Sequence, residues 1–212
     1  MKKIIFSMLC LVTVASVNAQ SDKYQKAMTA NLAKFDSAKT AQDFQTLSAS
    51  FERIANAEKN QWLPYYYAAQ AQIIYGFVKN TPAENDAIAE KAEKWLNTAD
   101  SLQKDNSEIS CLRSMAATLH MMVNPMQRYM QYLPDIEKAL AAAKKQDPTN
   151  PRPHFIQGQN LKGTPEQFGG GCKTAKPVMQ QALALYATFK PSSPLHPNWG
   201  KSQAQEIFDG CK

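Results

Sequence analysis

The residues of this chain best suited to bind a metal ion surround one histidine in the segment MAATLHMMVNPMQRYM. The segment carries His120 and five methionines: Met115, Met121, Met122, Met126 and Met130. Thioether and imidazole groups suit the soft ion Cu(I), so an exported copper-binding protein is one interpretation. However, several of the methionines recur with Leu119 at the spacing of one helix face, as buried core residues do. We therefore interpret the cluster as core packing and predict neither a metal site nor a cofactor.

The three histidines of the chain do not form a catalytic or metal-binding pattern either. His120, His154 and His196 all stand outside H-E-x-x-H and C-x-x-C spacings. His154 occupies a packing position in the repeats described below, and no residue near His196 is placed to make it a base or a ligand. Ser, His and Asp occur in no arrangement that indicates a nucleophile. The sequence therefore predicts a protein that is not an enzyme.

The segment GTPEQFGGGCK has the glycines of a phosphate-binding loop. It lacks the Lys-Ser/Thr pair that would follow, and no predicted strand precedes it. Three glycines before a helix allow a tight turn with positive φ, which is the interpretation we favour. The alternative is that N–H groups at the start of this helix bind an anion.

The first twenty residues, MKKIIFSMLCLVTVASVNAQ, have the pattern of a secretory signal peptide. We predict a signal peptide at 1–19, cleavage near Ala19 and a single mature domain at 20–212, located in the periplasm or secreted. The apolar run is too short for a membrane-spanning helix. Without Lys2 and Lys3 the net charge falls from +6 to about +4. No basic cluster indicates nucleic acid or a membrane surface.

Three cysteines remain after the leader, and an odd number in an oxidising compartment indicates one pair and one buried thiol. Cys172 begins one predicted helix and Cys211 ends the last one, so antiparallel packing would bring them together. We predict a disulfide between Cys172 and Cys211, and the alternative is two unpaired thiols near the surface. Cys111 is predicted to be a small buried apolar residue.

The chain predicts an all-α fold built on a repeated helical corner, since it lacks the alternating β-branched runs of strands. The three corner segments are NQWLPYYYAAQAQII, DNSEISCLRSMAATL and DPTNPRPHFIQGQNL. Each then places a bulky, a small and an aliphatic residue at intervals of four and three, on one helix face. These sets are Tyr67, Ala71 and Ile74; Leu112, Ala116 and Leu119; His154, Gly158 and Leu161. The prolines of DPTNPRP indicate a rigid corner between stacked helices.

This pattern resembles the tetratricopeptide-repeat family, with KALAAAKKQDPTNPRPHFIQGQNL as the best match. The resemblance covers 44–189 and implies an α-solenoid of stacked antiparallel helix pairs, with about three long repeats and capping helices. The capping segments are 23–59, read as two helices, and a short final helix that follows PLHPNWG. The chain also resembles exported proteins of Bacteroidetes in FERIANAEKNQWLPYYYAA and TPEQFGGG…PNWG, a resemblance that implies no activity.

A solenoid of this type binds along its concave face, which the first helix of each pair lines. The residues offset from the packing face are Tyr65, Gln72, Tyr75, Arg113, His120, Met121, Arg152, Phe155, Gln159 and Lys162. This aromatic, amide and basic mixture would suit an acidic peptide, a carboxylate or a small anion. The alternative is an ordinary solvated helix face.

Two functions are compatible with such a groove. We predict a non-catalytic scaffold or adaptor that binds a protein or peptide, because the repeat that this chain resembles is most commonly used in that way. The alternative is a periplasmic accessory protein that binds a small ligand for an uptake system. A deep aromatic pocket would favour the second, whereas an open groove would favour the first.

Overall fold

The computed structural model describes residues 22–211, which form α-helices joined by short connections, with no strand among them. Helix α1 covers 22–37. The helices that follow are α2 (Ala41–Ala57), α3 (Trp62–Lys79), α4 (Asn85–Leu102), α5 (Ser107–Met121), α6 (Pro125–Gln146), α7 (Arg152–Gly163), α8 (Cys172–Thr188) and α9 (Lys201–Gly210). Short 3-10 turns at Pro82–Glu84 and Glu166–Phe168 precede α4 and α8.

The predicted all-α solenoid of stacked antiparallel helix pairs is confirmed, because each helix packs mainly against its neighbours in the chain. The predicted signal peptide lies outside the described residues. Across 22–211, no helix combines the length and the apolar character that a membrane crossing requires.

Side-chain caps fix where α2 and α5 begin. At the start of α2, the Thr40 hydroxyl accepts a hydrogen bond from the Asp43 N–H, and the Asp43 carboxylate accepts one from the Thr40 N–H. At the start of α5, the Asn106 side chain accepts a hydrogen bond from the N–H of Glu108 at 2.9 Å. These caps satisfy N–H groups that have no partner within the helix, so the starts of α2 and α5 are fixed by their own side chains.

The small residues of the repeats lie where neighbouring helices approach most closely. Ala71 and Ala116 are fully buried. At Gly158, an added Cβ would lie only 2.9 Å from the Cε atom of Met179 on α8. The sequence spacing therefore identifies the helix faces that build the core.

The corner before α7 is rigid for a reason that the sequence pattern did not show. Arg152 is 0% exposed, and its guanidinium donates to the Glu108 carboxylate at 2.8 Å and to the Pro197 carbonyl at 2.5 Å. The same group lies over the rings of Phe189 and Trp199. The placement of Arg152 in an open groove was therefore wrong, because the C-terminal loop folds over it.

The GTPEQFGGGCK segment forms a tight turn that uses its own N–H groups. Gly169 and Gly171 adopt positive φ, of 85° and 86°. The Gly171 N–H donates to the Leu161 carbonyl at 2.8 Å, and the Gly170 N–H donates to the Pro165 carbonyl at 3.2 Å. This arrangement favours the turn over the anion site, since these two N–H groups already have partners.

Helix α9 is joined to the start of α8 by a disulfide between Cys172 and Cys211, whose Cα atoms are 5.0 Å apart. The two residues stand at the start of α8 and the end of α9, as antiparallel packing requires. Cys111 is a free, buried cysteine, as its position beside the helix face of Leu112 indicates.

Part of the methionine cluster is exposed. Met126 and Met130 on α6 are 81% and 79% exposed, so their assignment to the core was wrong. Helix α6 has 22 residues and α7 only 12, which corresponds to about 33 Å against about 18 Å. The first turns of α6, which carry Met126 and Met130, therefore extend beyond α7 and are not covered by it.

Candidate functional site

A groove with a volume of about 680 Å³ lies between α1 and α2. We call it the α1–α2 groove. Its lining residues are Lys23, Tyr24, Ala27, Asn31 and Lys34 from α1, and Ser50, Arg53, Ile54, Ala57 and Glu58 from the end of α2 and the residue after it. A cavity of this size is in the range that accommodates a cofactor-sized ligand.

Aromatic packing holds the two helices that form this groove. The ring of Phe35 on α1 lies 5.7 Å from that of Phe44 and 6.2 Å from that of Phe51, both on α2. Phe51 stacks in turn on Tyr67 of α3 at 5.2 Å. The short connection 38–40 makes α1 and α2 antiparallel neighbours. This packing holds α1 against α2, so the two helices that form the groove have defined positions.

The rim of the α1–α2 groove is basic. Lys23, Lys34 and Arg53 are exposed, and none forms an ion pair with another residue of the described chain. Arg53 donates a hydrogen bond to the Ser50 hydroxyl at 3.0 Å, which orients its guanidinium. Three cations beside an apolar wall can bind a ligand that combines an apolar body with carboxylates.

Tyr24 lines the groove, but its hydroxyl is buried in the protein without a hydrogen-bond partner. The residue is 8% exposed, and its Oη has no hydrogen-bond partner in the described structure. Burial and, to a smaller extent, the negative charge of Glu58 raise the pKa of this phenol to about 12. Leaving a buried hydroxyl without a partner costs free energy, and this oxygen is enclosed by protein and does not face the open groove.

A second cavity, of about 290 Å³, lies where the corners before α5 and α7 meet the C-terminal loop. Its carboxylates are those of Asp105, Glu108 and Asp147, and Trp62 and His196 form part of its wall. Burial raises the pKa of Glu108 to about 7 in spite of the neighbouring Arg152. This smaller, acid-lined cavity is a poor match for an anionic ligand.

The residues predicted to line one concave groove do not form a common open surface. Gln72, Arg152 and Phe155 are buried. Gln72 accepts a hydrogen bond from Ser48, and Phe155 lies against Trp199. Arg113 donates to Asn97 at 3.0 Å. Tyr65, Tyr75 and Met121 are half-buried, whereas Gln159 and Lys162 are exposed on α7.

His120 is held by acidic residues and is not available as a ligand. Its Nδ1 lies 2.6 Å from Asp86 and its Nε2 lies 3.5 Å from Glu93. Arg128 donates to both oxygens of Asp86, and the ring of Tyr132 stacks on the imidazole. Hydrogen bonds to Glu93 and Asp86 raise the pKa of His120 above its usual value, although burial opposes this.

Because the folded pKa of His120 exceeds its unfolded value, protonation of this residue stabilises the fold. The stabilisation is complete below the ordinary histidine pKa of about 6.5 and is lost as pH rises through the folded pKa. We expect the free energy of unfolding to fall with pH in this window, relative to His120→Gln. Urea unfolding of both proteins between about pH 6 and about pH 9 would test this. Parallel pH profiles would contradict it.

Comparison with known proteins found a similar solved structure but no matching family model. No protein-family model matches the chain, so membership of the tetratricopeptide-repeat family is not confirmed. No curated protein matches it either. A solved structure that matches is the HusA haemophore from Porphyromonas gingivalis, with a TM-score of 0.80 and 40% identity, over 89% of this chain and 92% of that one.

This relationship contradicts the prediction of an adaptor for a protein or peptide partner. A haemophore, by its name, carries haem, which is a small ligand and not a polypeptide. The prediction was wrong because it rested on the commonest use of a repeat fold, and a fold alone does not specify what it binds.

Proposed function

This chain belongs to the family of the HusA haemophore, and we propose that it is an exported, non-catalytic carrier that binds haem in the α1–α2 groove. This proposal corresponds to the alternative of a small-ligand accessory protein of an uptake system. The proposed site lies between α1 and α2 and not in the concave groove that was predicted to bind a peptide.

The chemistry of haem explains why this groove suits it. Haem is a flat apolar macrocycle with two carboxylate side chains and an iron at its centre. Ala27, Ile54 and Ala57 offer an apolar wall, and the volume of about 680 Å³ falls in the range for ligands of this size. Lys34 on α1 and Arg53 on α2 can pair with the carboxylates from opposite sides.

The single observation that carries the assignment is a set of three cations beside an apolar wall in one groove of about 680 Å³. None of these cations has an acidic partner among the described residues. The acid-lined cavity would instead repel the haem carboxylates. The charge and the size of haem therefore both favour the α1–α2 groove over the acid-lined cavity.

Haem titration of a charge-reversed protein would test the site. The variant Lys34→Glu with Arg53→Glu should bind ferric haem at least about tenfold more weakly, because each charge-assisted hydrogen bond contributes about 1.5–3 kcal/mol. The matched control is Lys94→Glu with Lys201→Glu, which changes the net charge equally at exposed positions outside the groove. Affinity is measured from the haem absorbance.

Equal affinities of the two charge-reversed proteins would show that the α1–α2 groove is not the haem site. Circular dichroism melting curves of both variants separate a loss of binding from a loss of folding, since neither pair of residues is buried.

A further inference from the structure

The acid-lined cavity has a lining that suits a cation, and the proposed function does not use it. The cavity shares no described lining residue with the α1–α2 groove. Its described lining carries the carboxylates of Asp105, Glu108 and Asp147 but no lysine or arginine. The chain as a whole is basic, with a net charge of +6. The cavity is therefore a local region of negative charge on a positively charged protein.

Two of the three carboxylates in this cavity have no cationic partner. Among the described residues, Glu108 pairs with Arg152, whereas Asp105 and Asp147 form no ion pair. The N–H and the hydroxyl of Thr149 both donate to Oδ1 of Asp147. Burial raises the pKa of Glu108 to about 7, and the negative charge of Asp147 acts in the same direction. A cation in the cavity would relieve this repulsion between carboxylates.

The helix ends that meet at the cavity add to its negative potential. Gln103 follows the last residue of α4, Gln146 is the last residue of α6, and both line the cavity. The C-terminus of a helix carries a negative partial charge that favours cations. Helix α5 begins at the same cavity, but its Glu108 and Ile109 N–H groups already donate to the Asn106 side chain. The two C-terminal ends therefore act in the same direction as the carboxylates.

Aromatic rings form another part of the cavity wall. Trp62, Phe189 and His196 all line it, and each is half-buried. The rings of Trp62 and His196 meet edge to face, with their centroids 5.7 Å apart. Burial lowers the pKa of His196, so this imidazole adds no positive charge at neutral pH. Aromatic faces attract organic cations and also pack against their alkyl groups, which a hydrated metal ion does not offer.

We propose that the acid-lined cavity binds a small organic ammonium ion. Its N–H groups donate to the carboxylates of Asp105 and Asp147, and its alkyl chain packs against Trp62 and Phe189. The cavity volume of about 290 Å³ lies close to the lower limit for small-molecule sites. The ligand is therefore of the size of a short alkyl diamine. This site is independent of haem carriage.

Isothermal titration calorimetry with diaminobutane tests the site. The variant Asp105→Asn with Asp147→Asn should bind this diamine at least about tenfold more weakly, because hydrogen bonds between charged groups contribute most to affinity. Asparagine keeps the side-chain oxygen to which Thr149 donates, so the corner keeps its shape. The matched control is Asp135→Asn with Asp209→Asn, which removes the same charge at exposed positions outside the cavity. It should bind diaminobutane as the unmodified protein does.

Three further measurements complete the test. Butanediol, which has the same chain without the charges, should bind at least about tenfold more weakly than diaminobutane. The Asp105 and Asp147 variant should keep its affinity for haem, because the cavity and the α1–α2 groove share no described lining residue. Circular dichroism melting curves of both variants separate a loss of binding from a loss of folding.

Several outcomes would overturn the inference. Equal losses in the two variants would mean that the overall charge of the protein attracts the diamine. Equal affinities for diaminobutane and butanediol would mean that charge plays no part. Tighter binding of Ca²⁺ than of diaminobutane, lost in the Asp105 and Asp147 variant, would assign the cavity to an inorganic ion. No binding of diaminobutane by the unmodified protein would also overturn it, and haem carriage would stand or fall on its own titration.

Discussion

Replacing Arg152 with methionine is expected to lower the free energy of unfolding by about 3–5 kcal/mol, because it removes the cation from a buried ion pair. Arg152 is fully buried and donates 2.8 Å to Glu108, whose carboxylate then has no cationic partner. The Pro197 carbonyl also loses its guanidinium donor. Urea unfolding at neutral pH measures the loss.

The size of this effect should depend on pH in a defined direction. Burial already raises the pKa of Glu108 to about 7, and loss of the guanidinium, which lowers this pKa, would raise it further. A carboxyl whose pKa is raised in the folded state favours folding most while it is protonated. The free energy of unfolding of the protein therefore falls as pH rises through the folded pKa. Arg152→Met should therefore be less destabilised at about pH 5 than at about pH 8.

The matched control is the double variant Arg152→Met with Glu108→Gln. Glutamine needs no cation, so the double variant should recover part of the stability and should show little of the pH dependence. A double variant no more stable than the single one would mean that the charge of Glu108 is not the cause. A loss of less than about 1 kcal/mol in Arg152→Met would contradict the importance of the pair itself.

Sequence spacing was sufficient for the helix faces but not for the partners of Arg152. Ala71, Ala116 and Gly158 could be identified because the faces of a helix repeat with a short, local period. Arg152 lies off that face, and periodicity therefore placed it in solvent. Its environment is set by Pro197, which lies 45 residues later in the chain. A contact over that distance leaves no periodic signal in a single sequence.

The candidate site was missed for a related reason. The leading helices were interpreted as a cap for the solenoid, so their polar residues received no role. A signal was present, since Lys23, Ala27 and Lys34 recur at intervals of four and seven on one face of α1. What the sequence cannot show is that these residues line one groove together with Arg53 and Ile54 of α2. That feature depends on how α1 packs on α2.

The disulfide between Cys172 and Cys211 carries the second large expected effect. It closes a loop with a sequence separation of 39, which in the chain-entropy account stabilises the folded state by about 4 kcal/mol. Replacing both cysteines with serine should lower the free energy of unfolding by about this amount. Urea unfolding with and without a reductant measures the effect. The unmodified protein should lose stability on reduction, whereas the double serine variant should not respond.

The loss should begin locally, because α9 is a short terminal helix that packs chiefly on α8. Its fully buried Ala204 and the half-buried Ile207 and Phe208 supply little apolar area to hold ten residues in place. Without the disulfide, amide hydrogens of α9 should exchange well before those of α3 and α5. If reduction leaves both the unfolding curve and the α9 exchange rates unchanged, the cysteines are unpaired in solution and packing alone fixes this helix.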